Sequence, residues 1–108
     1  MALKIFIAMP KNGMNREEVQ IKLRNIFSLA EKYLGEKGLL FFCDVEDEHS
    51  ERPIKNVFTA LEQLIEADCI VFAEGYENFR SYRLEYFCAS EYDKKILLER
   101  GNEIQEVY

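Results

Sequence analysis

Residues Leu3 to Met9, LKIFIAM, are apolar at every position but Lys4 and rich in residues that favour extended backbone. A strand with one wet face would alternate with polar side chains. A near-continuous run instead predicts a strand covered on both faces, as in a parallel sheet. Three shorter apolar runs follow, at Leu39 to Cys43, which predicts a second short buried strand, and at Cys69 to Ala73 and Ile96 to Leu98.

The stretches between these runs carry apolar residues at helical spacing. Asn15 is a candidate N-cap with Glu18 three residues on, followed by Val19, Leu23, Ile26, Phe27, Ala30 and Leu34 on one face; Gly35 and Gly38 close the helix. Pro53 suits the entry of a second helix bearing Val57, Phe58, Leu61, Leu64 and Ile65. A third helix starts near Ser81 or Tyr82, and Leu84, Phe87, Cys88 and Tyr92 are expected on its buried side. The tail from Arg100 to Tyr108 shows little pattern.

Strands alternating with helices predict an α/β chain, because right-handed crossovers place helices on both faces of the sheet. The expected architecture is a three-layer Rossmann- or flavodoxin-like sandwich with a four-stranded parallel sheet of order 2-1-3-4. A length of 108 residues suits one core, so residues 1–108 are expected to form a single domain.

Hydrophobic residues make up 48% of the chain and charged residues 31%, as in a globular protein. The formal net charge of -6 argues against a nucleic-acid or anionic-membrane surface, since both need a basic patch. No apolar run approaches the roughly 20 residues of a membrane span. MALKIFIAMP stops at Pro10 and Lys11 with no small-residue cleavage site after it, which predicts a strand and a cytoplasmic protein. Cys43, Cys69 and Cys88 lie in apolar contexts without CxxC spacing, and His49 is the only histidine. Buried free thiols are expected, with neither a metal site nor an organic cofactor.

In the order 2-1-3-4 the topological switch falls between strands 1 and 3. A ligand cleft is therefore expected between the loop Met9 to Met14 and the loop Glu74 to Ser81. The first loop has no GxGxxG or GxxxxGK[ST] pattern. Its single glycine, Lys11 and the helix N-terminus suit one anionic or polar group, and suit an ordinary strand-to-helix turn equally well. The second loop mixes Tyr76, Phe79 and Tyr82 with Glu74, Glu77, Arg80, Arg83 and Glu85, a combination that fits a nucleobase or sugar as well as ordinary packing. Asp44, in the acidic loop Asp44 to Pro53, is a reserve candidate. Whether Glu85 faces water or the cleft depends on helix phase; near the positive end of the helix dipole its carboxylate stays ionised and can act as nucleophile or base.

KIFIAMPKNG followed by a helix, then IEADCIVFAEGYENFRSYRLEYFCASEYDKKIL, resembles the nucleoside 2-deoxyribosyltransferase-like family of small bacterial and phage proteins. The resemblance spans most of the chain. It implies that Glu85 corresponds to the glutamate that attacks the anomeric carbon of a nucleoside, with Glu85 to Ala89 matching the Glu-x-x-x-Ala step. It also implies that Met9, Pro10, Lys11, Asn12 and Gly13 line the sugar or 5′ end, that Gly75, Tyr76 and Glu77 lie beside the base, and that Arg80 and Ser81 lie near the pocket. The implied activity is cleavage or exchange of an N-glycosidic bond in a nucleoside or nucleotide, by a homodimer or larger homo-oligomer. Ser81 stands where the family usually has glycine. Phe79 replaces a small residue or an aspartate, and Tyr86 an apolar one. These departures favour the alternative of a non-catalytic module that senses or sequesters a nucleotide-derived ligand.

Overall fold

The computed structural model describes residues 3–11, 13–42 and 54–107. Strands β1 (Leu3–Ala8), β2 (Gly38–Phe41), β3 (Cys69–Phe72), β4 (Lys95–Arg100) and β5 (Glu103–Val107) form one sheet. Helices α1 (Arg16–Leu34), α2 (Ile54–Glu66) and α3 (Arg80–Glu91) connect the first four. The order is β2-β1-β3-β4-β5. Pairing is parallel through β4, with Ile7 opposite Val71 and Phe72 opposite Leu98, and antiparallel between β4 and β5.

The fold is therefore α/β with a mixed five-stranded sheet, which corrects the expected four-stranded, all-parallel one. The added strand comes from a tight hairpin. Gly101 and Asn102 both take left-handed backbone, with φ of 57° and 65°, as a two-residue type I′ turn demands. That turn folds the apparently unpatterned tail back onto β4.

Two apolar layers cover the sheet. Ile5, Ile7, Cys69, Val71 and Leu97 pack on one face with Val19, Leu23, Ile26 and Ala30 of α1. Phe6, Ile70, Phe72 and Ile96 pack on the other with Ala60 and Leu64 of α2 and Tyr82 and Ala89 of α3. The capping box of α1 forms as expected: Asn15 Oδ1 accepts the Glu18 N–H at 2.8 Å, and Glu18 Oε1 accepts the Asn15 N–H at 3.0 Å. Gly35 ends that helix at φ 72°.

Two further expectations are corrected. The second strand takes the expected edge position but is not buried: Leu39 and Leu40 are exposed, because nothing pairs beyond it among the described residues. Helix α3 has the opposite phase to that expected. Ser81, Tyr82, Glu85 and Ala89 face inward, while Leu84, Phe87 and Tyr92 are exposed and Cys88 is half-buried. Tyr82 fills the inner face at the start of the helix, and small Ala89 lets its end approach the sheet. Asp44, His49, Cys43 and Pro53 lie outside the described residues. Among the described residues no helix is long and apolar enough to cross a membrane.

Candidate functional site

β1 and β3 are neighbours in the sheet, and their helices leave to opposite faces: α1 to one, α3 to the other. That divergence opens a crevice beyond the carboxyl ends of both strands. The Ala73 N–H donates to the Ala8 carbonyl at 2.9 Å and carries the pairing one residue past β3. The chain then turns through Gly75, at φ 90°, into a 3₁₀ turn at Tyr76–Asn78 that delivers it to α3. Gly75 holds a conformation that costs a side-chain-bearing residue energy.

A pocket of about 240 Å³ occupies the crevice, lined by Pro10 and Met14 from the first loop, Lys22 from α1, and Glu74, Gly75, Asn78 and Phe79 from the second loop. A smaller one of about 160 Å³ shares Met14 and is lined by Lys11, Arg16, Val19 and Gln20. Three cationic side chains thus surround Met14. The main pocket also carries the Glu74 carboxylate, so it presents charges of both signs on an otherwise modestly apolar wall.

The candidate residues separate on inspection. Pro10 and Gly75 line the main pocket, and Lys11 lines its smaller neighbour. Met9 is buried beneath them, and Gly13 is exposed at φ 80° in the same loop. Asn12 lies outside the described residues. Tyr76 stacks on Tyr86 at a centroid distance of 5.5 Å and leans on Phe72 at 5.0 Å, so its ring belongs to an aromatic cluster rather than to the pocket wall. Burial, with Tyr86 and Glu77 beside it, raises the Tyr76 phenol above its ordinary pKa. Glu77 pairs with Arg100 at 3.6 Å, and its carbonyl oxygen accepts from Arg83 Nη1 at 2.8 Å. Arg80 is exposed at the first position of α3.

Glu85 is 0% exposed and does not line the pocket. It sits on the inner face of α3, one turn beyond Ser81, which is also buried. Ser81 Oγ makes no hydrogen bond among the described residues. Two polar side chains thus lie one helical turn apart on the buried face of α3.

Lys22, Asn78 and Glu99 were not singled out by the sequence reasoning. Lys22 follows Val19 by three residues and so flanks the buried stripe of α1, which is the signal that places it near the sheet. Asn78 has no comparable signal. Glu99 alternates with buried Leu97 along β4, a period-two hint of an inward carboxylate. Its Oε1 accepts the Glu74 N–H at 3.1 Å and its Oε2 the Asn102 N–H at 3.4 Å. One buried side chain therefore anchors both the pocket loop and the hairpin.

Burial pushes the Cys69 thiol up to about 12, and burial followed by the Glu85 charge raises that of Cys88. Neither thiol has the depressed pKa of a nucleophile. Among the described residues no group of three His, Cys, Asp or Glu could hold a metal ion. Compared with known proteins, the chain matches no family model and no curated protein.

Proposed function

We propose that the crevice between the β1 and β3 loops binds a nucleotide-derived small molecule, in a Rossmann- or flavodoxin-like domain similar to the nucleoside 2-deoxyribosyltransferase-like proteins. The cytoplasmic location expected from the sequence belongs to the same reading. The observation that carries it is the pocket itself, built from both loops at the switch point and lined by Pro10, Lys22, Gly75 and Phe79. Lys11 and Arg16 in the adjoining pocket favour a ligand with a phosphate over a bare nucleoside. At about 240 Å³ the main pocket is smaller than the roughly 300 Å³ at which drug-sized sites begin. It suits a sugar phosphate portion better than a whole dinucleotide.

Binding without turnover is favoured over catalysis by the position of Glu85. A nucleophile must come within roughly 3–3.5 Å of its target atom. A side chain with 0% exposure and no place in the pocket wall does not meet that requirement in this conformation.

A second reading is N-glycosidic bond cleavage, favoured by the buried carboxylate itself. Glu85 and Ser81 occupy a face that packing alone would fill with apolar side chains. If the first turn of α3 moves aside, the Glu85 carboxylate attacks the anomeric carbon as the bond to the base breaks, and the departing base takes a proton from solvent. Water then cleaves the glycosyl ester.

Titration calorimetry with ribo- and deoxyribonucleosides and their 5′-monophosphates, with free base followed by chromatography, separates the two readings. The expected result is binding of monophosphates, weakened about tenfold or more by Lys22→Ala, with no base released. Base release abolished in Glu85→Gln would establish the enzyme instead. Absence of binding across the panel would remove both.

A further inference from the structure

The main pocket of the crevice holds side chains of opposite charge, Lys22 from α1 and Glu74 just beyond β3. They share a volume of about 240 Å³ yet form no ion pair with each other among the described residues. Opposite charges that face one small cavity without neutralising each other leave both available to a ligand. The ammonium suits an anion. The carboxylate only accepts hydrogen bonds, so it calls for a group that carries donors.

The backbone of Glu74 is anchored for such a contact. The Ala73 N–H donates to the Ala8 carbonyl at 2.9 Å, the Glu74 N–H donates to Glu99 Oε1 at 3.1 Å, and Gly75 turns the chain at φ 90°. With its N–H already engaged by Glu99, Glu74 meets the cavity through its exposed side chain. Only that side chain has to be ordered when a ligand arrives, which lowers the entropic cost of the contact.

The size of the cavity selects the donors. On the reading proposed above, on which this inference rests, the anion is a 5′-phosphate. About 240 Å³ suits a sugar phosphate portion and leaves the base toward the mouth, so the donors that reach Glu74 are the hydroxyls of the sugar. Ribose offers a vicinal pair, the 2′-OH and 3′-OH, which one carboxylate can accept through its two oxygens. A 2′-deoxyribose offers the 3′-OH alone. An acidic side chain reads the ribose hydroxyl in the same way in dinucleotide-binding sheets.

We infer that Glu74 is a specificity-determining residue that accepts the 2′- and 3′-hydroxyls of a ribose 5′-phosphate unit. The crevice therefore selects ribonucleotides over 2′-deoxyribonucleotides.

The test is titration calorimetry of the parent chain, Glu74→Gln and Lys22→Ala. The probes are adenosine and uridine 5′-monophosphates, their 2′-deoxy counterparts and ribose 5-phosphate. The parent chain should bind each ribonucleotide about tenfold more tightly than its deoxy counterpart, the worth of one charge-assisted hydrogen bond at an open site. Glu74→Gln keeps the shape of the side chain without its charge and should bring the two sugars within about twofold, with either base. Lys22→Ala should weaken both sugars alike and leave their ratio as in the parent. Ribose 5-phosphate bound as tightly as the nucleotides, with the same dependence on Glu74, supports the contact and makes the free sugar phosphate the ligand; Glu74-dependent but weaker binding supports the contact with a nucleotide as the ligand. Equal affinity for the two sugars in the parent overturns the inference and leaves the crevice a nucleotide site, as does a ribose preference that Glu74→Gln leaves intact. An effect of Glu74→Gln on the adenine nucleotides alone, equal for both sugars, also overturns it and puts the carboxylate on the amine of the base. Absence of binding by every probe overturns it together with the reading on which it rests.

Discussion

The Tyr82 hydroxyl donates to the Met9 carbonyl oxygen at 3.1 Å within the core. This contact fastens the first turn of α3, which follows one loop of the crevice, to the residue that opens the other. Tyr82→Phe keeps the ring and its packing with Phe79 and removes that bond. The buried carbonyl then loses its hydroxyl donor, and stability should fall by about 1 kcal/mol. Urea titration checks this: the midpoint falls while the slope stays constant, since the surface exposed on unfolding is unchanged. An unchanged midpoint would mean that water replaces the hydroxyl at no cost.

Glu99 acts on the same crevice from beneath. Because its two oxygens accept the N–H groups of Glu74 and Asn102, Glu99→Ala releases the pocket loop and the hairpin turn together. A loss of roughly 1–3 kcal/mol is expected, as when part-buried donors lose their acceptor. Amide hydrogen exchange gives the specific signature: Glu74 and Asn102 should exchange faster, with Ile7 and Val71 in the sheet centre lagging behind. Uniform acceleration across the sheet would contradict this local role.

Strands β1 and β3 and helix α1 were legible in the sequence because burial on both faces and a capping box leave marks that need no tertiary knowledge. Leu3 to Met9 could hardly be anything but a central strand, and Asn15 with Glu18 marked where α1 begins. Helix α3 runs against its apolar pattern for a physical reason. Its inner face holds Ser81, Tyr82 and Glu85, so counting apolar residues sends Leu84 and Phe87 inward and the polar pair outward. β5 leaves no alternation to read, because its two apolar residues, Ile104 and Val107, pack on opposite faces of the sheet, and the signal for the strand lies in the preceding Gly101-Asn102 pair. The crevice followed from topology alone. Lys22 and Asn78 in its wall did not, since which side chains reach a cleft depends on helix and turn geometry that periodicity does not encode.

The thiols give a prediction that depends on pH. Burial, opposed in part by Lys95, lifts Cys69 from 9.0 to about 12, so at pH 8 only about one molecule in ten thousand carries the thiolate that reacts with alkylating agents. Of the two cysteines among the described residues, half-buried Cys88 should be alkylated before Cys69, which is labelled only on unfolding; peptide mapping after iodoacetamide treatment distinguishes them. The same shift affects stability. The folded state keeps its proton between about 9 and 12 while the unfolded thiol loses it, so this contribution is fully present below pH 9 and declines as pH rises through that window. A Cys69→Ala variant should lose less stability between pH 9 and 10.5 than the parent chain. Equal losses would place the effect elsewhere.

The hairpin that adds β5 rests on backbone conformation at its turn. Gly101 has φ 57°, and a Cβ placed there would meet nothing within 4 Å, so any cost of substitution comes from the left-handed backbone and not from a neighbour. Valine strongly disfavours that region, whereas asparagine tolerates it. Gly101→Val should therefore cost about 1–2 kcal/mol and Gly101→Asn much less. The loss should be local before it is global: Ile104, which pairs with Glu99, and Val107, which pairs with Ile96, should lose hydrogen-exchange protection in Gly101→Val ahead of β1 and β3. Since Glu99 also holds the Asn102 N–H, a loosened turn should pass part of its motion to the Glu74 loop, and the Glu74 amide should exchange faster in Gly101→Val. Thermal midpoints and exchange profiles of the two variants decide the matter. Equal stability would show that the turn tolerates another backbone conformation and that β5 does not depend on it.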